Sequence, residues 1–227
     1  MSTKIALGVG ALALLQARPA VAGSARLLAF VQTSIKQRAL QQLLQDALPS
    51  LSITTVGRVA DFGRALTEGQ DAILTLPIVM RARGISPQLL GRRAGASDET
   101  YSLVGANGVP VIANLRTVGA IDMLDRAGTN ALVQNLVGQQ VKVERVTKVE
   151  DLLPLLQLQR ADAVLLPTRL FPDVKATSSL NLEHRELSGR LGLPALASVG
   201  PAGAEALAQA AKLNGKAAQL LGVDSWS

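Results

Sequence analysis

The stretch Arg160-Ala-Asp-Ala-Val-Leu-Leu-Pro167 (RADAVLLP) has the pattern of a buried strand that begins with charged residues and ends at a proline. The first half of the chain contains a close copy, Gln70-Asp-Ala-Ile-Leu-Thr-Leu-Pro77 (QDAILTLP), and a leucine-bearing segment with helical spacing precedes each copy. Short apolar runs of this kind are typical of strands inside a parallel sheet whose two faces are covered by helices. The repeated pattern therefore predicts an α/β chain with two similar lobes.

The residues before the first copy predict alternating strands and helices. Apolar residues between 35 and 48 recur with the period of an amphipathic helix, which Pro49 ends, and residues 51–56 alternate as a strand does. A β-α-β-α-β order favours an open, mostly parallel sheet. The predicted elements of this half are strands at 25–31, 51–56 and 71–76 and helices at 35–48 and 59–67.

A second series follows and ends in a helical return. The predicted strands are 87–93, 99–106, 118–123, 140–146, 162–166 and 194–199. One predicted helix follows Gly128-Thr129-Asn130, and the other predicted helices span 149–159, 202–212 and 215–221. The sequence accordingly predicts lobe 1 over residues 23–104, completed by residues 200–227, and lobe 2 over residues 105–199.

The first 22 residues have the pattern of a cleavable secretory signal peptide. A basic start at Lys4 precedes the apolar run 5–15, and Pro19-Ala-Val-Ala22 offers small residues at a cleavage position after Ala22. The alternative, an uncleaved anchor, is disfavoured because a membrane-spanning helix needs about 20 apolar residues. We expect export to the periplasm.

Composition disfavours several classes of function. Aromatic residues make up only 2% of the chain, which disfavours single-stranded nucleic acid as a partner because such binding needs aromatic stacking platforms. The chain has no cysteine and one histidine, His184, so a thiol nucleophile, a histidine-based triad and a histidine-rich metal site are all disfavoured. We expect no catalytic residue, no metal and no cofactor.

The net charge of +6 includes Lys4 and Arg18, so removal of the signal peptide would leave +4. Basic residues concentrate between Asp71 and Asp98, where no acidic residue interrupts the cluster Arg81–Arg93 (Arg81, Arg83, Arg92 and Arg93). The cluster is either an ordinary solvated surface or a patch that docks an anionic partner.

The signal-like segment, the two βα series and the C-terminal Leu220-Leu-Gly-Val-Asp-Ser-Trp226 together resemble a type 2 periplasmic solute-binding protein, the substrate-binding component of an ABC transporter. This resemblance implies two α/β lobes, each an open, mostly parallel sheet flanked by helices, with a ligand cleft between them. Short phrases resemble the phosphate/phosphonate-binding branch of that class: Arg83-Gly84, Tyr101-Ser-Leu-Val104, Leu115-Arg116 and Ala127-Gly-Thr-Asn130.

In that class of protein, two helix starts would face the cleft, Thr33-Ser34 in lobe 1 and Thr129-Asn130 in lobe 2. The free N–H groups of a helix N-terminus bind anions well, although both pairs could equally serve as ordinary helix caps. Tyr101, on the expected crossing strand, is either a wall of the cleft or a core residue.

The carboxyl ends of the two similar strands supply the other candidate ligand contacts, because open α/β sheets bind their ligands at these ends. Thr75 follows this rule in lobe 1, and Thr168 and Arg169 follow it in lobe 2. Arg169 could pair with an anion or lie in an exposed loop. Asp71 and Asp162 begin their strands, at the wrong end for catalysis, so we expect them to bind backbone amides of the turn before each strand.

We expect a monomeric, non-enzymatic protein that captures a small anionic solute, such as phosphate, a phosphonate or another oxyanion, for an ABC-type permease or a membrane sensor. The alternative is a scaffold that binds no ligand and acts as a protein-docking subunit in the periplasm.

Overall fold

The computed structural model describes residues 24–227, so the predicted signal peptide lies outside the described residues. The strands are β1 Arg26–Phe30, β2 Ser52–Thr55, β3 Ala72–Thr75, β4 Leu89–Arg92, β5 Asp98–Ala106, β6 Thr117–Ile121, β7 Lys142–Val146, β8 Ala163–Pro167, β9 Leu182–Gly192, β10 Ala195–Ser198 and β11 Ser225–Trp226. The α-helices are α1 Gln37–Ala47, α2 Val59–Thr67, α3 Pro77–Ala82, α4 Arg126–Val137, α5 Leu152–Gln157, α6 Phe171–Thr177, α7 Gly203–Ala210 and α8 Gly215–Leu221.

These strands form two sheets, one in each lobe. The lobe 1 sheet has the order β11-β4-β10-β3-β1-β2, with β2, β1 and β3 parallel to one another. The lobe 2 sheet has the order β7-β6-β8-β5-β9, in which β7, β6 and β8 are parallel and β5 and β9 are antiparallel to their neighbours. Two α/β lobes with helices on their sheets are the fold class that the sequence predicts, although both sheets are mixed and not mostly parallel.

The chain passes between the sheets twice, between β4 and β5 and between β9 and β10. Sheet membership therefore changes at residues 93–97 and 193–194, whereas the sequence predicts lobe limits at 104/105 and 199/200. Strand β9 lies outside the sequence prediction. Its residues are mostly polar and half-exposed, so it lacks the apolar run by which a strand of a parallel sheet is recognised.

Helix α1 shows how side chains complete the lobe 1 sheet at its edge. Strand β2 is the last strand on its side, so every second N–H and C=O group faces away from β1. Gln45 accepts from Ile53 N at 3.2 Å and donates to Leu51 O at 2.7 Å, and Gln37 donates to Thr55 O. The glutamines thus satisfy an edge that would otherwise be free to pair with another chain.

The repeated aspartates are structural, as predicted, although their partners differ from those expected. Each carboxylate binds the backbone at the start of the neighbouring parallel strand and not the turn before its own. Asp71 accepts from Arg26 N at 2.9 Å and also from Ala202 N at 3.2 Å, and Asp162 accepts from Arg116 N at 2.7 Å and Thr117 N at 2.8 Å.

We expect Asp71→Asn to destabilise the protein in a pH-dependent way. The backbone hydrogen bond from Arg26 lowers the pKa of the Asp71 carboxyl below its ordinary value, against the opposing effect of burial. The carboxylate therefore stabilises the fold above pH ~4, and this contribution is lost as the pH falls through the folded-state pKa.

Urea unfolding of wild type and Asp71→Asn near pH 7 and near pH 3 measures this effect. The difference between their midpoints should be largest near neutral pH and should shrink in acid. Glu68→Gln, an exposed change nearby, controls for the loss of a surface charge. A midpoint difference that stays constant with pH would show that the carboxylate charge is not responsible.

Candidate functional site

A cavity of about 300 Å³ lies between the lobes. Its lobe 1 wall is the segment from the end of β1 to the start of α1, together with the end of β2. Its lobe 2 wall combines the ends of β6 and β7. The cavity thus lies where carboxyl ends of parallel strands from both lobes meet. The lining residues are Phe30, Val31, Gln32, Thr33, Ile35, Lys36, Gln37, Arg38, Leu40, Val56, Gly57, Ile121, Met123, Thr147, Lys148, Val149 and Glu150.

The first turn of α1 borders this cavity without a capping side chain. The prediction that Thr33 or Ser34 caps the helix is wrong, because α1 begins at Gln37 and Lys36 occupies the cap position. The hydroxyl of Thr33, which is buried, donates to Ile35 O at 3.2 Å. The uncapped N–H groups therefore leave partial positive charge at the cavity.

The floor of the cavity is apolar, uncharged polar side chains line part of its wall, and its rim is charged. Phe30 lies beneath the cavity and stacks on Phe62 with ring centroids 5.1 Å apart, and Met123 contributes from lobe 2. The charged side chains at the rim are three cations and one anion: Lys36, Arg38, Lys148 and Glu150. The rim therefore favours an anionic group, and the floor favours an apolar one.

Closer to the crossing strands, the cleft is almost filled by the protein itself. A residual space of about 20 Å³ is lined mainly by apolar residues, among them Leu76 and Leu165, and by Tyr101 and Thr129. Tyr101 is buried, and its hydroxyl donates to Gln32 Oε1 across the lobes at 3.4 Å. Burial raises the pKa of Tyr101 above its ordinary value, so the hydroxyl stays protonated.

Arg169 lies in the interface between the lobes. Its side chain is 7% exposed, and its Nε lies 2.9 Å from Glu99 Oε2. Nη1 donates to Leu220 O at 3.0 Å and Nη2 donates to Gln32 O at 3.1 Å, and both carbonyls belong to lobe 1. Burial raises the pKa of Glu99, while the charge of Arg169 opposes this rise.

The start of α4 differs from the prediction. The helix begins at Arg126, and Asp125 caps it by accepting from Gly128 N at 2.6 Å, so Thr129 and Asn130 lie inside the helix. The hydroxyl of Thr129 donates to Asp122 Oδ1 at 2.8 Å, and Asn130 Oδ1 is buried with no hydrogen-bond partner among residues 24–227.

The remaining predicted residues make hydrogen bonds within the protein. Thr75 is fully buried and donates to Phe30 O at 2.6 Å. The hydroxyl of Thr168 accepts from Thr100 at 3.1 Å and lies 2.9 Å from the Ser102 hydroxyl. Ser34 donates to Asp173 Oδ2 at 2.7 Å and so joins the two lobes near their surface.

Of the predicted residues, Thr33 lines the 300 Å³ cavity, and Tyr101 and Thr129 share the small inner space. Sequence reasoning missed Gln32, Lys36 and Lys148, which also line the larger cavity. Gln32 and Lys148 lie within two residues after β1 and β7, so a search at the carboxyl end of every parallel strand would have found both residues.

Within residues 24–227, no group of three or more His, Cys, Asp and Glu side chains is placed to hold a metal ion. In the same range, no helix is both long enough and apolar enough to cross a membrane.

Two lobes joined by two crossings, with a cavity at the facing strand ends, define the two-lobed α/β fold of the periplasmic solute-binding proteins. Comparison with protein-family models and with curated proteins finds no match for this chain. Solved structures with the same fold do match it.

One such structure is a glycine-to-alanine mutant of arginine-bound ArgBP from T. maritima, with 16% identity and a TM-score of 0.57 over 82% of this chain and 92% of that chain. The BvgS VFT2 domain of Bordetella pertussis, as a double mutant, has 17% identity and a TM-score of 0.58 over 87% of this chain and 92% of that chain. The GluR0 ligand-binding core with L-glutamate has 13% identity and a TM-score of 0.57 over 84% of this chain and 92% of that chain. These likenesses confirm the predicted fold, and they lend no support to the phosphate/phosphonate branch.

Proposed function

We propose that this chain is a periplasmic, non-enzymatic solute-binding protein that holds a small organic anion in the 300 Å³ cavity. The single observation that carries the proposal is the position of that cavity, between the lobes and at the carboxyl ends of β1, β2, β6 and β7. The first turn of α1 and the cation at Lys36 receive the anionic group, while the apolar floor receives the rest of the solute.

A carboxylate fits this lining better than inorganic phosphate or a phosphonate does. A phosphate would place two charges and several acceptors against a floor formed by Phe30, Val31 and Met123, which offers no side-chain donor. A monocarboxylic acid with an aliphatic body has one negative charge and an apolar remainder. Arginine and L-glutamate, bound in two structures of similar fold, both carry a carboxylate, so amino acids belong in the panel of candidate solutes.

The partner of the loaded protein would be an ABC-type permease or a membrane sensor, and the protein itself would act as a monomer. Delivery requires that the lobes open and close around the cavity, so the partner would recognise one of these two states.

A thermal-shift screen tests the proposal directly. We expect at least one small carboxylate or amino acid at millimolar concentration to raise the melting temperature, because a ligand that binds only the native state stabilises it. Phosphate, phosphonates and sulfate belong in the same panel. The absence of any shift across the panel would contradict the proposal.

With a ligand from that screen, Lys36→Glu should weaken binding about tenfold, because reversing a charge at the rim repels an anion by about 1.4 kcal/mol. Lys212→Glu is the matched control, since Lys212 is an exposed lysine of the same lobe that does not line the cavity. Titration calorimetry of both variants makes the comparison. Equal ligand affinities of the two variants would show that Lys36 does not contribute to binding.

A second candidate, a scaffold that docks another protein, is favoured by the filled inner cleft, in which Tyr101 and Arg169 bind the protein itself. The cluster Arg81–Arg93 would form the docking surface; Arg92 there is half-buried and donates to Gly95 O at 2.9 Å, while the other three are exposed. This function predicts a stoichiometric periplasmic partner whose binding is lost when Arg81 and Arg83 are both changed to Glu. Unchanged binding by that variant would exclude Arg81 and Arg83 from the docking surface.

A further inference from the structure

Arg169 connects three separate segments of the fold through one guanidinium group. It follows β8 in lobe 2, yet two of its N–H groups donate to carbonyls of lobe 1, one after β1 and one near the end of α8. Leu220 O lies in the last turn of α8, where the helix dipole places partial negative charge and stabilises a cation.

The burial of this cation depends on Glu99, which lies in the same lobe at the start of β5. A buried guanidinium without a counter-charge would be costly, and Glu99 Oε2 at 2.9 Å supplies that charge. Because Glu99 and Arg169 belong to one lobe, their pairing can persist when the lobes separate. The bonds to Gln32 O and Leu220 O cannot persist.

Lobe 1 leaves room for this side chain. Gly222 follows α8 with φ +73°, a left-handed conformation that favours glycine. A Cβ atom at this position would lie 2.7 Å from Arg169 Cδ and 2.8 Å from Nε, so any larger residue would push the guanidinium out of its place.

Other contacts close the same interface. One cluster of buried apolar side chains includes Phe30 and Leu76 of lobe 1 together with Met123 and Phe171 of lobe 2. The interface is therefore closed by apolar packing and by the hydrogen bonds of Ser34 and Tyr101 as well as by the bonds of Arg169.

We propose that Arg169 is a latch that holds the two lobes closed in the absence of solute, so that opening is the regulated step and not closure. Charge-assisted hydrogen bonds to two carbonyls, made in a buried interface, stabilise the closed state without any ligand. A solute or a membrane partner then acts by stabilising or releasing a state that already exists.

The absence of cysteine allows a test with spin labels and no background labelling. Gln42→Cys in α1 and Asn135→Cys in α4 place one exposed label on each lobe. Pulsed electron-spin distance measurements on solute-free protein then compare three backgrounds: the intact latch, Arg169→Met with Glu99→Gln, and Arg145→Met. The third is the matched control, because Arg145 pairs with Asp122 at 2.7 Å within lobe 2 alone.

If Arg169 acts as a latch, the distance between the two spin labels should be short and narrowly distributed both with the latch intact and in Arg145→Met. Open conformers should make up at most about 10% of the population in both. The double variant should give a broader distribution in which longer distances are the majority. The double variant removes both charges of the ion pair, so no unpaired charge is left buried. Circular dichroism verifies that this variant is folded before its distances are interpreted.

Two results would overturn the proposal: broad, long distances in the intact protein without solute, or a narrow, short distance that survives in the double variant. Arg169→Lys, which keeps the charge but cannot reach both carbonyls with a planar fork, should give an intermediate distribution. Because every measurement is made without solute, failure of the latch leaves the solute-binding proposal untouched.

Discussion

Replacing Arg169 with methionine should lower the free energy of unfolding by about 3–5 kcal/mol, because it leaves the Glu99 carboxylate buried without its counter-charge. Neither Glu99 oxygen accepts an aligned hydrogen bond from any residue in the range 24–227. Of the two guanidinium groups whose charge lowers the pKa of Glu99, Arg169 and Arg93, only Arg93 would remain. The change also removes the hydrogen bonds to Gln32 O and Leu220 O. It is the largest effect that we expect from a single polar substitution.

Urea unfolding followed by circular dichroism measures this loss. The double variant Arg169→Met/Glu99→Gln should recover part of the stability, because no charge is then left buried. Arg145→Met, whose ion pair is more exposed, should cost less. If Arg169→Met proves no more harmful than Arg145→Met, the interface does not depend on this ion pair.

Phe62→Ala should also destabilise the protein by about 3–5 kcal/mol, since it opens a cavity in the core. Phe62 is fully buried in α2, and its ring stacks on that of Phe30. Phe30 in turn lies at the floor of the cavity between the lobes, so the loss of its partner should also weaken solute binding.

Chemical unfolding gives the stability of this variant, and titration with a ligand from the thermal-shift screen gives its affinity. Phe62→Leu is the matched control, because it keeps most of the apolar volume and should cost clearly less than Phe62→Ala. An alanine variant as stable as the leucine variant would mean that the surrounding residues collapse into the space, and that Phe62 does not support the cavity floor.

The parallel strands of both sheets could be predicted because their apolar runs and proline boundaries are local features. The stretch 160–167 places β8 correctly at Ala163–Pro167, and its copy places β3 at Ala72–Thr75. The structural role of Asp71 and Asp162 followed from the same pattern, since both residues begin their strands.

Helix starts were harder to predict, because several residues near each start can act as a cap. Asp125 and not Thr129 caps α4, and in α1 the hydroxyl of Thr33 turns to Ile35 O instead of capping the helix. Competition among nearby polar side chains is settled by tertiary packing, which is not visible in one sequence.

The candidate site was predictable only by general rules about where such folds bind ligands. The helix-start argument placed Thr33 near the cavity, and the rule that ligands bind at the carboxyl ends of parallel strands placed Arg169 near the interface. The partners of Arg169 belong to segments far apart in the chain, around residues 32, 99 and 220. No local sequence pattern indicates that these segments contact one another.

The measurement that tests the central claim most directly is a crystal structure of the protein with the best solute from the screen. The account predicts density for that solute between the lobes, with its anionic group at the first turn of α1 beside Lys36 and its apolar part over Phe30. An empty cavity at saturating solute, or a solute bound elsewhere on the protein, would contradict it.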